Sequence, residues 1–189
     1  MSEAKALLRE RLLSSRRAMS TPSRETAGRA ITRAVLDLPE IAACRTVAAY
    51  LSIGTEPPTM HLVRDFCLRG ARVVVPVLQE DLDLDWADYV PGTALAQGRR
   101  GLQEPESPLL GHGFLAHVDA VIAPALAVDE TGMRLGRGGG SYDRALARVP
   151  PGCPVVVPLY DGEVLPDVPA EPHDRRVSVA VTPSRVWRF

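Results

Sequence analysis

The chain has 189 residues, 46% of them hydrophobic, and its 22 basic and 23 acidic residues leave a net charge of −1. This length and apolar content suit one domain over residues 1–189 with a substantial core, and the balanced charge excludes a generic nucleic-acid binder. No apolar run reaches membrane-spanning length, the N-terminus lacks a signal-peptide apolar region, and Cys44, Cys67 and Cys153 have no metal or redox spacing, so a soluble, cytoplasmic protein with small buried thiols is expected.

Residues 2–19 predict a first helix, with leucines at 7, 8, 12 and 13 as its stripe and Ser2 as its cap. Of the basic residues, 21 are arginine and only Lys5 is lysine, which marks position 5 as one suited to a compact ammonium. Arg9, four residues on, shares its face. Ser20-Thr21-Pro22 opens a second amphipathic helix that runs to about Leu38, with Pro39 after its end. A strand at Thr46 to Ser52, a loop over 53–59 and a helix from Met60 to Arg69 form a βα unit. Glu56 is the one acid in that loop and, taken alone, reads as a helix-end charge. Arg72 to Leu78 and Leu82 to Tyr89 predict further strands. Residues 91–117 read as a long loop, of the kind that is functional or mobile in a compact domain.

Val118 to Pro124 is an apolar strand pattern, and the stretch from Gly132 to Arg144 then concentrates five of the fifteen glycines and three arginines in thirteen residues. Glycines let a backbone approach a ligand with successive N–H groups pointing into one anion site, and arginines offer forked donors that match phosphate oxygens in pairs. A helix from Tyr142 to Arg148 follows. Strand, loop and helix N-terminus place the glycines at the carboxyl edge of a parallel sheet. The pattern is neither a P-loop nor a dinucleotide fingerprint, and by composition alone it reads equally as a flexible turn. Strands at Pro154 to Tyr160 and Val177 to Thr182 complete an alternation that predicts a three-layer α/β/α sandwich on a mostly parallel sheet.

Pro124, Asp129, Gly132, Arg134 through Gly140 and Tyr142-Asp143-Arg144 together resemble the signature of the 5-formyltetrahydrofolate cyclo-ligase family. Weaker resemblances lie at Lys5 to Arg9, Arg16 to Ser20, the loop around Glu56, Gly101 to Pro105, and Leu165 to Asp174, so the likeness spans most of the chain. The resemblance implies a fold like that of ribose-phosphate isomerases and coenzyme A transferases. It also implies ATP- and Mg²⁺-dependent cyclisation of 5-formyltetrahydrofolate to 5,10-methenyltetrahydrofolate. Carried over by position, it puts Lys5, Arg9, Arg134, Leu135, Gly136, Arg137, Gly138, Gly139, Gly140, Ser141 and Tyr142 on ATP, with Arg137 and Tyr142 as the catalytic pair. Leu51 and Glu56 fall on the folate, whose pterin donors match a carboxylate, and Asp143 and Asp174 on magnesium, which favours carboxylate and phosphate oxygens. His173 is expected to orient or pack.

Three positions depart from the family pattern: Ser141 where a tyrosine is usual, Glu163 for glutamine, and Pro183 for an acid. The expected partners are small molecules, without nucleic acid or membrane, and a monomer is favoured. Two alternatives are a non-catalytic relative that binds nucleotide, folate or RNA, and a sugar-phosphate isomerase of similar architecture, which would need an acid/base pair and no ATP.

Overall fold

In the computed structural model, which describes residues 3–189, the chain opens with two long helices, α1 (Glu3–Ala18) and α2 (Thr21–Leu36), and a single turn, α3 (Pro39–Ala42). The expected cap of α1, Ser2, lies outside the described residues. Ser20 caps α2, its hydroxyl accepting from the Ser23 N–H at 3.2 Å, which satisfies one of the donors left open at a helix start. Pro39 opens α3 instead of merely following α2, because a proline at the first helical position loses only an N–H that would be unpaired anyway.

The remaining elements are β1 (Thr46–Ala48), α4 (Met60–Leu68), β2 (Arg72–Leu78), β3 (Leu84–Tyr89), β4 (Leu95–Gln97), β5 (Gln103–Pro105), β6 (Ala120–Ile122), β7 (Ala127–Asp129), β8 (Arg134–Leu135), α5 (Ser141–Leu146), β9 (Val155–Pro158), β10 (Val164–Leu165), β11 (Val179–Val181) and β12 (Val186–Arg188). Seven of the strands form one sheet in the order β12-β11-β9-β6-β1-β2-β3. Its inner five pair in parallel, and β3 and β12 close the two edges antiparallel.

Parallel strands buried on both faces read as continuous apolar runs, which is why valine dominates β2, β9 and β11. Val47, Val73, Val75, Ile122 and Val156 pack on one face against Ile31 and Val35 of α2 and Leu62 and Phe66 of α4. Ala48, Val74, Val121 and Val157 meet Ala145 and Leu146 of α5, Trp86 and Leu115 on the other. The chain therefore has a mixed α/β fold with a mostly parallel central sheet. Among the described residues no helix is long and apolar enough to cross a membrane.

Three expectations are corrected. Residues 91–117 are not one loop: they contain the antiparallel β4–β5 hairpin and a 3₁₀ turn at His112–His117. The chain also does not pass straight from β6 into the glycine loop. It first makes the β7–β8 hairpin, to which β10 adds in parallel, with Asp129 closing the turn by accepting from the Thr131 and Met133 N–H groups at 2.8 and 3.0 Å. Finally, α1 does not bury all four of its leucines, and charged residues share the buried side. Leu7 is 62% exposed, whereas Lys5, Leu12 and Arg16 are the fully buried positions, and Leu12 enters the small core of Leu126, Leu135 and Val168 beneath the helix with Leu8 and Leu13 packed partly against it.

Candidate active site

The loops after β1 and β6, the end of β2 and the glycine loop surround one cavity of about 460 Å³, lined by Ile53, Glu56, Leu78, Pro124, Ala125 and residues 134–143. It lies beyond the carboxyl ends of parallel strands, where open α/β sheets bind ligands. α1 and the segment 171–174 contribute Lys5, Arg9, Glu171, His173 and Asp174 to the same cavity. Segments far apart in sequence thus meet here.

The glycine loop proper is Gly136–Gly140. Gly140 takes a left-handed φ of 69° at the start of α5, a conformation that glycine adopts without the steric cost a side chain would bring. α5 has only six residues, not the expected seven from Tyr142 to Arg148. Its dipole is correspondingly small, and cationic side chains carry more of the local positive field.

Arg134 and Leu135 belong to β8 and are buried, not part of the loop. Arg134 is ion-paired with Asp143, its guanidinium carbon lies 6.0 Å from the centre of the Tyr142 ring, and its buried Nε has no partner among the described residues. Arg9 Nε donates to the Gly136 carbonyl at 2.9 Å, fixing the loop from α1, while one of its buried terminal nitrogens has no partner among the described residues.

Lys5 is not a solvated helix-end residue. It is 3% exposed, and its ammonium donates to Asp174 at 2.6 Å and Glu171 at 3.0 Å. Burial works against its charge, but the two carboxylates outweigh burial and hold its pKa above the ordinary lysine value. Glu171, His173 and Asp174 each place a donor atom within 4.8 Å of the others. Asp143 lines the same cavity but is not in that group, being held by Arg134.

Glu56 is buried, accepts from the Ile53 N–H at 2.9 Å and lies 3.1 Å from Arg137 Nε. Burial lifts its pKa, against the opposing pull of Arg137 and of the Ile53 N–H. The buried Tyr142 hydroxyl has no partner among the described residues, and burial likewise raises its pKa. Ser141 opens α5 and lines the cavity with Gly138 and Gly139. Leu51 does not line it: its side chain packs in the core shared with α2 and α4, and Ile53, two residues on, faces the cavity instead.

Sequence reasoning gave Glu171 no role, although it sits three residues before Asp174, and expected His173 to orient or pack, where its side chain stands 66% exposed beside both. It also missed Arg100 and Leu102, which enter from the β4–β5 hairpin. For Glu163 the structure supplies a reason. Arg16, 1% exposed, donates to both carboxylate oxygens of Glu163 at 2.7 and 2.8 Å and to the Ala125 carbonyl at 2.8 Å, so an acid at 163 neutralises a buried guanidinium that an amide would leave charged.

Residues 1–183 match the 5-formyltetrahydrofolate cyclo-ligase family. The chain belongs to that family. The 5-formyltetrahydrofolate cyclo-ligase of Mycolicibacterium smegmatis is 40% identical over 96% of this chain and 95% of its own. The Escherichia coli enzyme of the same name is 31% identical over 92% and 97%. In three dimensions the chain superposes on the 5,10-methenyltetrahydrofolate synthetase of Aquifex aeolicus with a TM-score of 0.83 and 28% identity, over 97% of this chain and 92% of that one. Membership makes the protein a ligase by family, and most residues of the family signature, Pro124, Arg134 to Gly140, Tyr142 and Asp143, line the cavity.

Proposed function

We propose that residues 1–189 act as one unit that cyclises 5-formyltetrahydrofolate to 5,10-methenyltetrahydrofolate with ATP and Mg²⁺, releasing ADP and phosphate. The observation that carries this reading is one cavity with Lys5, Arg9, Arg134 and Arg137 around a glycine loop and a buried carboxylate, Glu56, in the same wall. The first set suits a polyphosphate and the carboxylate suits the paired N–H donors of a pterin. The finer kinship, to ribose-phosphate isomerase-like folds, belongs to the same proposal.

In this mechanism the formyl oxygen attacks the γ-phosphorus, forming an O–P bond as the bond to ADP breaks. N10 then attacks the activated formyl carbon, the C–O bond breaks, phosphate leaves with that oxygen, and the N10 proton is lost. An amide oxygen leaves poorly and a phosphate leaves well, so no enzymic nucleophile is required, and the protein's work is positioning and charge stabilisation. Lys5, Arg9 and Arg137 would hold the phosphates. The unpartnered Nε of Arg134 and hydroxyl of Tyr142 are donors available to a ligand.

The donor set at Asp174 and Glu171 fits a hard cation, since both carboxylates already turn oxygens towards the Lys5 ammonium, and Asp143 stands in the same cavity. Magnesium bound there would neutralise phosphate charge. Burial raises the Glu56 pKa, and a pterin's donors would favour the carboxylate form.

The test is the appearance of methenyltetrahydrofolate absorbance on mixing protein, 5-formyltetrahydrofolate, ATP and Mg²⁺, with calorimetric titration of Mg-ATP beside it. Binding of both ligands without turnover would favour the non-catalytic reading, and absence of ATP binding would end the ligase reading.

A further inference from the structure

The tip of the β4–β5 hairpin holds Arg100 in a left-handed backbone conformation, φ 55° and ψ 24°. A residue with a side chain stays there only where its surroundings fix it, and such positions concentrate at ligand sites. Here the surroundings do fix it. The Gly98 N–H donates to the Leu102 carbonyl at 2.8 Å and the Leu102 N–H to the Arg99 carbonyl at 3.1 Å. Glu104 accepts from the Leu78 N–H at 2.9 Å, tying the hairpin to the end of β2, and its carboxylate lies so close to Gly98 that any Cβ there would collide with it.

The anchored tip sends its two arginines different ways. Arg99 pairs with Glu80 on the surface at 2.6 Å. Arg100 lines the cavity, with one terminal nitrogen 3.1 Å from where a Cβ on Gly139 would stand, and among the described residues its guanidinium has no hydrogen bond or ion pair. The glycine loop thus runs from Gly136, held by Arg9 of α1, to Gly139, covered by Arg100. At the hairpin side the wall is apolar, made by Leu78, Leu84 and Leu102.

An apolar wall ending in an unpaired guanidinium suits an aromatic ring that carries carboxylates, whereas the α1 side, with its several cations, suits a polyphosphate. We propose that Arg100 binds the glutamate carboxylates of the folate substrate, with its aminobenzoyl ring against those three leucines. This assignment rests on the folate reading above. Arginine and carboxylate match as paired donors and acceptors, so Arg100 would set the preference for substrates with the anionic tail.

The decisive variant is Arg100→Gly, which removes the guanidinium and places glycine where the backbone φ favours it. Its melting temperature should equal or exceed that of the wild type. Calorimetric titration without ATP should show 5-formyltetrahydrofolate binding about tenfold weaker, Mg-ATP binding unchanged, and 5-formyltetrahydropteroate, which lacks the glutamate, bound equally by variant and wild type. Arg100→Lys should recover part of the loss. Unchanged folate affinity would overturn the assignment, as would an equal loss for the pteroate. A loss confined to Mg-ATP, or shared equally with it, would overturn it in favour of a phosphate contact. A wild type that neither binds nor converts 5-formyltetrahydrofolate would remove the folate reading and this assignment with it, whereas a wild type that binds it beside an unaffected variant removes the assignment alone.

Discussion

Helices α1 and α2 have the same length, sixteen residues each, yet they are held by opposite physics. α2 turns Ile31, Val35 and Leu36 into the core of the sheet, so its placement follows from area removed from water. α1 docks along positions 5, 9, 12 and 16, one helical stripe on which three of the four residues are cations. Lys5 reaches Glu171 and Asp174, Arg9 the Gly136 carbonyl, and Arg16 Glu163 and the Ala125 carbonyl. The helix that rests on the smaller apolar cluster, through Leu8, Leu12 and Leu13, is therefore the one that brings cations to the cavity. Its seating depends on carboxylates at 163 and 171–174 and on the carbonyls of Ala125 and Gly136.

The largest effect should come from unbalancing that dock. Glu163→Ala leaves the Arg16 guanidinium buried and uncompensated, a change that costs about 3–5 kcal/mol. Chemical denaturation should show it, and the double variant Arg16→Met/Glu163→Leu should be less destabilised than Glu163→Ala, because removing both charges removes the penalty. A double variant as unstable as the single one would mean that α1 is held by shape and not by charge.

The matching change in α2 is Ile31→Ala, expected to cost about 2–5 kcal/mol through lost burial and a residual cavity. It should leave the ATP Michaelis constant near the wild-type value, because nothing on α2's buried face reaches the site. Loss of ATP affinity at unchanged fold would break the distinction between the two helices.

Glu56→Gln sharpens the comparison inside the cavity. Folate binding should weaken by about 1.5–3 kcal/mol, roughly one to two decades, with ATP little affected. Because burial raises the Glu56 pKa in the folded state, its contribution to stability is present below the ordinary glutamate pKa and is lost as pH rises through the raised one. The variant should therefore gain melting temperature relative to wild type at pH 8 compared with pH 4. The opposite trend would show that the Arg137 ion pair outweighs burial.

The smallest effect expected is for Lys5→Arg. Charge is kept, but a planar fork replaces a compact ammonium between Asp174 and Glu171, so the ATP Michaelis constant should rise about tenfold, ~1.4 kcal/mol. A wild-type constant would leave the phosphates to the arginines.

Much of the fold was legible because it rests on local patterns. The valine runs gave the inner strands, Ser20-Thr21-Pro22 gave the start of α2, and the glycine-arginine stretch marked the site. What was not legible depends on partners distant in sequence. The leucines of α1 marked the inward side, but the buried cations beside them were not legible, because Arg16 is neutralised by Glu163, 147 positions away. β7, β8 and β10 are two or three residues long, too short for periodicity to register, so Arg134 seemed a loop residue. Leu51 was assigned to the folate by position, but β1 already ends at Ala48, and the irregular segment after it turns the Leu51 side chain into the core while Ile53 lines the cavity. Arg100 carried no signal, since its strained backbone is imposed by an anchor between Glu104 and Leu78.

The central claim, that the protein positions ligands and supplies charge while the substrate's own formyl oxygen attacks ATP, is tested most directly by isotope transfer. Single-turnover reaction of 5-formyltetrahydrofolate labelled with ¹⁸O in the formyl group should deliver the label to inorganic phosphate, one atom per methenyltetrahydrofolate formed. Unlabelled phosphate accompanying full product formation would contradict it and require phosphoryl transfer to some other acceptor first.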